Sequence, residues 1–228
     1  LNIRKKFNVI LGIHNRTFLL NEIKQKKINL NDYFALIQDL KIIKPKIIIH
    51  TAGLTNIEDC ERNIDFTNKI NVNLAYNVAK ACKELNISLV HISTDHLFDN
   101  QGPYIKEENK ICPVNIYGKS KAEAEIKVLN INPNSLVIRT NFFGWGPFHR
   151  ISFSDRIIES LSFKKTISLF KDVFFTPILI EELSNIVHDL IEVKATGIYN
   201  VAGNDRISKY DFGIKLAKKF NYDYNLIK

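Results

Sequence analysis

Tyr117 and Lys121 stand four residues apart in the run Tyr117-Gly118-Lys119-Ser120-Lys121, so in a helix they share one face, a turn from each other. A free phenol titrates at roughly 10 and is a poor acid at neutral pH. An ammonium held beside it favours the phenolate and lowers that value. Upstream, the apolar run Ser88-Leu89-Val90-His91-Ile92 reads as a buried parallel strand, and it ends in Ser93-Thr94-Asp95. The carboxyl ends of strands are where open α/β sheets bind ligands. A phenol, a lysine and a strand-end hydroxyl together suit proton transfer to a carbonyl oxygen.

The spacing alone is weak in a lysine-rich chain. Tyr76 with Lys80 and Tyr224 with Lys228 repeat it. Tyr76 sits in a long helical pattern and Tyr224 in a polar terminal tail, and neither follows a strand ending in Ser-Thr-Asp. Context singles out Tyr117. Its competing role is that of an aromatic helix anchor.

The elements that must position these residues alternate along the chain. Phe7 to Ile13 reads as a strand, and Asn31 to Lys44 carries a helical stripe of Phe34, Ile37, Leu40 and Ile43 that Pro45 ends. Lys46 to His50 is the next buried strand, and Thr51-Ala52-Gly53-Leu54 turns at its carboxyl end. The small residues there let a cofactor approach the backbone. A helix is expected from about Phe66 to Asn86, with Asn63 and Asp65 as caps. The Tyr117 helix continues through Glu125, and Asn134 to Thr140 forms another strand. A composition change at Asn141-Phe142-Phe143-Gly144-Trp145-Gly146-Pro147 marks entry into a second lobe. That lobe has a helix near Ser154 to Ser162, short strands around Ile167 to Phe170, and a helix from near Glu181. A strand and turn follow at Gly197 to Gly203, and then a helix Lys209 to Phe220 capped by Ser208. This alternation predicts an α/β fold with a doubly wound parallel sheet.

Composition narrows the class. The 228 residues, 45% hydrophobic and 25% charged, fit an ordinary globular protein of one or two domains. No apolar run is long enough to span a bilayer and no signal-peptide pattern opens the chain, so neither a membrane partner nor export is expected. Cys60, Cys82 and Cys112 are scattered, with no CxxC and no histidine cluster. That argues for no metal, no disulfide scaffold and a reducing cytoplasm. The net charge of +8 comes from lysines spread along the chain, without a basic-aromatic stripe or recognition motif. Nucleic acid is therefore not the expected partner. The charge reads as solvated surface with some benefit for phosphorylated ligands.

The wording STDHLFDN, then GPY, then YGKSKAEAE resembles the extended short-chain dehydrogenase/reductases, in particular the dTDP-4-dehydrorhamnose reductase branch. GIYNVAGNDRISKYDFG resembles the same branch, and the likeness runs from Phe7 to about Phe220. It implies that Phe7 to Ile13 is the second strand of a Rossmann-like sheet whose first strand and glycine-rich turn are absent here. With Leu1 at its start, no methionine and a polar end, the chain reads as a piece of a longer protein. The implied division is an incomplete NAD(P)-binding domain over 1–147 and a smaller substrate-binding lobe over 148–228, interleaved with a core strand returning near 197–202.

The resemblance also assigns roles. The second strand ends His14-Asn15-Arg16 with no acid for a ribose diol, which favours NADPH over NADH, with Arg16 on the 2′-phosphate. Arg16 as one more surface cation is the competing reading. Ala52, Gly53 and Leu54 would line the adenosine side of the cofactor, although His50-Thr51 replaces the family's usual Asn-Ala. Asn71 matches the asparagine that organises the active-site water chain. Tyr117 would donate the proton, and Thr94 would hydrogen-bond the carbonyl oxygen. Lys121 would lower the tyrosine pKa and hold the nicotinamide ribose. Asp95 and Phe142 would contact substrate, Phe142 standing where the branch usually has Trp. Packing between lobes is the alternative for Phe142, Phe143 and Trp145. The expected activity is reduction of a nucleotide-linked 4-keto-6-deoxy sugar, with a homodimer compatible. Two alternatives stand beside it: a sugar-nucleotide epimerase or dehydratase, and a non-catalytic regulatory or binding subunit of the same fold.

Overall fold

The computed structural model describes residues 7–14, 17–18, 23–98, 102, 104–146 and 151–228. The chain divides into two compact units, one of Leu1–His91 with Asn115–Ser135, the other of Ile92–Val114 with Leu136–Lys228. Division by compactness is a different property from the division by function expected at 147.

In the first unit, β1 (Ile10–Ile13) pairs in parallel with β2 (Lys24–Lys27). Helix α1 (Tyr33–Ile43) starts where the Asp32 side chain accepts the Ala35 N–H at 3.1 Å. It stops at Lys44, whose φ of 52° takes the left-handed turn before Pro45. Leu36, Ile37 and Leu40 form its buried face. Strand β3 (Ile47–His50) pairs in parallel with β4 (Ser88–Ile92), in a register that sets His50 against His91. Parallel pairing needs a long crossover, and the chain supplies α2 (Ile57–Arg62), α3 (Ile64–Asn68), a π-helical turn (Lys69–Asn73) and α4 (Leu74–Glu84). Asn63 caps α3 as expected, its side chain accepting the Phe66 N–H at 2.9 Å. The expected continuous helix over 66–86 is instead interrupted by the π-helical turn. Turns of this kind are frequent at functional sites. Helix α5 (Ile116–Ile131) completes the unit.

In the second unit, β5 (Leu136–Thr140) is buried along its whole length. After it come β6 (Phe142–Phe143), α6 (Phe153–Ser162), β7 (Phe174–Phe175), β8 (Ile178–Leu179) and α7 (Ile180–Glu192). Then follow β9 (Gly197–Val201), β10 (Ile207–Ser208) and α8 (Lys209–Lys219). β5 pairs in parallel with β9, β6 in parallel with β8, and β7 antiparallel with β10. Ile157, Leu161, Phe175, Ile207, Phe212, Ala217 and Ile227 form one hydrophobic core cluster in it. The short strands expected around 167–170 are not a pair of their own. Instead the Ile167 and Leu169 N–H groups donate to the Leu226 and Lys228 carbonyls near the end of the chain, at 3.0 Å each.

Gly203 explains the turn after β9. A Cβ built there would lie 2.2 Å from the Pro177 carbonyl oxygen, so two backbone segments meet where only glycine fits.

Candidate active site

The first unit gathers most of the expected residues around α5. Its opening turn, which carries Tyr117, is held twice: Gly118 N–H donates to the Asn115 side chain at 2.7 Å, and Ile116 N–H donates to Glu61 Oε1 at 2.8 Å. Tyr117 is half-buried. Ser120, one turn's breadth away, donates its hydroxyl to the Tyr117 carbonyl at 2.7 Å and accepts from Asn71 Nδ2 at 2.9 Å. Asn71, 1% exposed in the π-helical turn, also accepts the Leu54 N–H at 2.7 Å and donates to the Leu54 carbonyl at 3.1 Å. An unbroken hydrogen-bonded path therefore joins the Ala52-Gly53-Leu54 turn, Asn71, Ser120 and the tyrosine's own backbone. Ser120 has no signal of its own in the sequence beyond lying inside the Tyr/Lys spacing.

Ala52 is exposed and Gly53 half-buried, leaving the turn's backbone approachable from solvent. A Cβ on Gly53 would come within 3.1 Å of Asn71 Oδ1, tighter than ordinary contact. A side chain at position 53 would press on that amide. The turn suits a cofactor that approaches the main chain closely.

Lys121 is 6% exposed. Burial lowers its pKa from 10.5 to about 8, and Glu125 one turn on opposes that shift. Its Nζ lies 3.3 Å from His91 Nε2. The His91 ring stacks on His50, with centroids 5.5 Å apart and planes at 24°. Burial first, then the Lys121 charge, lowers His50 to about 3 and holds His91 well below its ordinary value. Both rings are neutral at physiological pH.

The competing Tyr/Lys spacings have other partners. Lys80 Nζ sits 4.3 Å over the Tyr33 ring, and Lys218 Nζ 5.7 Å from the centre of the Tyr224 ring.

The second unit carries Thr94, Asp95 and Phe142. Thr94 is 4% exposed; its hydroxyl accepts the His96 N–H at 3.2 Å and lies 3.4 Å from Asp95 Oδ1. Asn141, at the end of β5, fixes the Asp95 carboxylate by donating Nδ2 to both oxygens, at 2.9 and 3.2 Å. Lys209 rests over the Phe175 ring at 3.3 Å and the Phe153 ring at 4.7 Å. Burial lowers its pKa to about 8, and the Asp95 charge raises it in part. Asn141 and Lys209 were not singled out by sequence, since neither belongs to a spaced motif. Phe142 is 51% exposed on β6, while its neighbour Phe143 packs edge-on against Phe212 in the core at 5.1 Å. Trp145 is exposed and meets the edge of Phe220 at 5.7 Å. Arg16 lies outside the described residues. Among the described residues no helix is long and apolar enough to cross a membrane.

The chain is similar to several known proteins. The chain is 30% identical to a protein of Sulfolobus tokodaii described as a hypothetical dTDP-4-dehydrorhamnose reductase, with a TM-score of 0.85 over 97% of this chain and 77% of that one. The dTDP-4-dehydrorhamnose reductase of Bacillus anthracis in complex with NADP is 27% identical, with a TM-score of 0.82 over 89% of this chain and 73% of that one. Methionine adenosyltransferase 2 subunit beta of Xenopus tropicalis is 29% identical over 82% of this chain, which spans 57% of that protein's length. The fold is accordingly α/β with parallel strands, of the Rossmann-like kind that these reductases share. Residues 11–228 match the family described as RmlD substrate binding domain, and the chain belongs to that family.

Proposed function

We propose that this chain reduces a nucleotide-linked 4-keto-6-deoxy sugar with NADPH, its 1–147 portion holding cofactor and its 148–228 portion the substrate side. When bound, NADPH supplies the hydride to the ketone carbon. Tyr117 gives its phenolic proton to the oxygen that becomes the hydroxyl. Thr94 donates a hydrogen bond to that oxygen, and Asp95, braced by Asn141, binds a sugar hydroxyl. Lys121 lowers the tyrosine pKa and holds the nicotinamide ribose, while Ala52, Gly53 and Leu54 border the adenosine. Phe142 stacks on the substrate.

The observation that carries this reading is Lys121. A lysine 6% exposed is expensive to bury, and this one stands a single helical turn from Tyr117 on α5. Fold maintenance alone gives no reason to bury it; modulating a neighbouring acid does. The relatives named as dTDP-4-dehydrorhamnose reductases, one of them in complex with NADP, support the substrate class and cofactor.

The test follows nicotinamide absorbance when the full-length gene product meets NADPH and a dTDP-4-keto-6-deoxyhexose. A steady fall is expected. A flat trace with NADPH bound would replace this reading with a different sugar nucleotide or an epimerase. The likeness to a protein named as a beta subunit of another enzyme favours a second reading, a binding subunit, which absence of both turnover and NADPH binding would select.

A further inference from the structure

The strand-end histidine His91 has no part in the reaction as proposed, yet its ring is 1% exposed and points a nitrogen at Lys121. We propose that His91 is a positioning residue for Lys121: its neutral Nε2 accepts the ammonium's hydrogen bond and fixes both the place and the charge of Nζ. The inference rests on the reductase reading only for its consequence in turnover.

Three observations carry it. First, Nζ and Nε2 are 3.3 Å apart in a buried setting. A protonated lysine can only donate, so Nε2 must be the acceptor and the ring proton must sit on Nδ1. Second, among the described residues His91 Nδ1 is buried with no hydrogen-bond partner, as is Nε2 of His50. The ring's polar contact is thus the one to Lys121, and a residue placed for packing alone would need no nitrogen there. Third, the β3–β4 register sets His50 opposite His91 and stacks the two rings. His50 backs the imidazole, so the nitrogen that faces Lys121 has little freedom to turn away.

Among the described residues, the groups that act electrostatically on Lys121 include His50 from β3, His91 from β4 and Glu125 from its own helix. Glu61 of α2 is engaged by the Ile116 N–H at the start of α5. Glu125 supplies the opposing charge, whereas a neutral His91 supplies direction and one hydrogen bond to the charged form. Loss of that bond leaves the ammonium less stabilised, so its pKa falls. The arrangement leaves Lys121 charged in the neutral range while permitting it to lose its proton just above.

Two measurements decide this. Nitrogen NMR of the histidine-labelled wild-type protein at neutral pH, with His91 assigned through His91→Gln, reads the tautomer directly. The Nδ1–H tautomer with an accepting Nε2 is expected. A proton on Nε2, or an imidazolium, overturns the proposal without any variant having to fold. Carbon NMR of labelled lysine then gives the titration midpoint of Lys121, assigned through Lys121→Arg. His91→Leu should lower that midpoint by about one pH unit, and His91→Gln, which keeps an acceptor at a similar reach, should restore it to within about 0.3. The high-pH limb of kcat/KM should move with the midpoint. An unmoved midpoint in a folded His91→Leu protein overturns the proposal. A moved midpoint in a protein that consumes no NADPH would uphold the coupling and remove the reductase reading instead.

Discussion

Asn71 and Leu54 hold each other by two hydrogen bonds, Leu54 N–H to Asn71 Oδ1 at 2.7 Å and Asn71 Nδ2 to the Leu54 carbonyl at 3.1 Å. A side-chain amide thereby pairs with the backbone of the turn after β3 as a neighbouring strand would. The same Nδ2 reaches Ser120, so one buried amide couples that turn to the tyrosine helix.

Replacing this amide should be felt throughout the unit. Asn71→Leu leaves the half-buried Leu54 N–H and carbonyl without their side-chain partner and takes from the Ser120 hydroxyl one of its two bonds, the other being to the Tyr117 carbonyl. A buried orphan costs about 1–3 kcal/mol. A loss of roughly 3 kcal/mol in urea unfolding is expected, with weaker NADPH binding. A variant as stable as wild type would show that the turn does not depend on Asn71.

Lys121→Met should make the protein more stable and less active at once. The lysine pKa is lowered from 10.5 to about 8 in the fold, so between those values the unfolded chain binds more protons and stability rises with pH. Below about 8 both states are protonated and the burial penalty is present in full. Removing the charge should stabilise the protein by on the order of 1–3 kcal/mol at neutral pH and flatten the alkaline rise in stability. Urea midpoints at neutral pH and above 8 measure both. Unchanged stability would mean that Lys121 carries no burial penalty.

His50 and His91 should set the acid side. Burial holds His50 at about 3, against 6.5 for an ordinary histidine, and keeps His91 well below that value. The unfolded chain therefore takes up protons first as pH falls below 6.5, and stability declines with acid. The His50 ring contributes about 1 kcal/mol of that decline one pH unit below its ordinary value. His50→Phe should shallow the slope of the urea midpoint over this range. An unchanged slope would place the acid sensitivity elsewhere.

Gly203→Ala should destabilise the second unit, because the new methyl would meet the Pro177 carbonyl oxygen at 2.2 Å. Overpacking against backbone that cannot give costs about 1–3 kcal/mol or more. Thermal unfolding of the variant reads the loss.

The sequence carried the strands that are apolar runs and the helices with caps: β3, β4, β5, α1, α6 and α8 lie within a few residues of their expected bounds, and α5 starts where expected but runs on past Glu125 to Ile131. It concealed β2, Lys24–Lys27, because that strand is held by backbone pairing to β1 and by Gln25, whose side chain bonds both Phe18 backbone groups. Lysines have no apolar alternation to announce it. The two-residue strands β6 and β8 are too short for any period. The π-helical turn escaped notice because its residues, Lys69–Asn73, read as ordinary helix. At the site, Tyr117, Lys121 and Asn71 were legible as spacing or family pattern. Ser120, Asn141 and His91 were not, since each matters through a contact made in space: with Asn71, with Asp95 and with Lys121 respectively.

The central claim is that Tyr117 is the proton donor of an NADPH-dependent sugar-nucleotide reductase. The most direct measurement compares the full-length protein with Tyr117→Phe, following NADPH absorbance with a dTDP-4-keto-6-deoxyhexose while titrating NADPH binding separately. The account predicts that turnover falls by about 10²–10⁴-fold with NADPH affinity little changed. Turnover retained in the variant would contradict it.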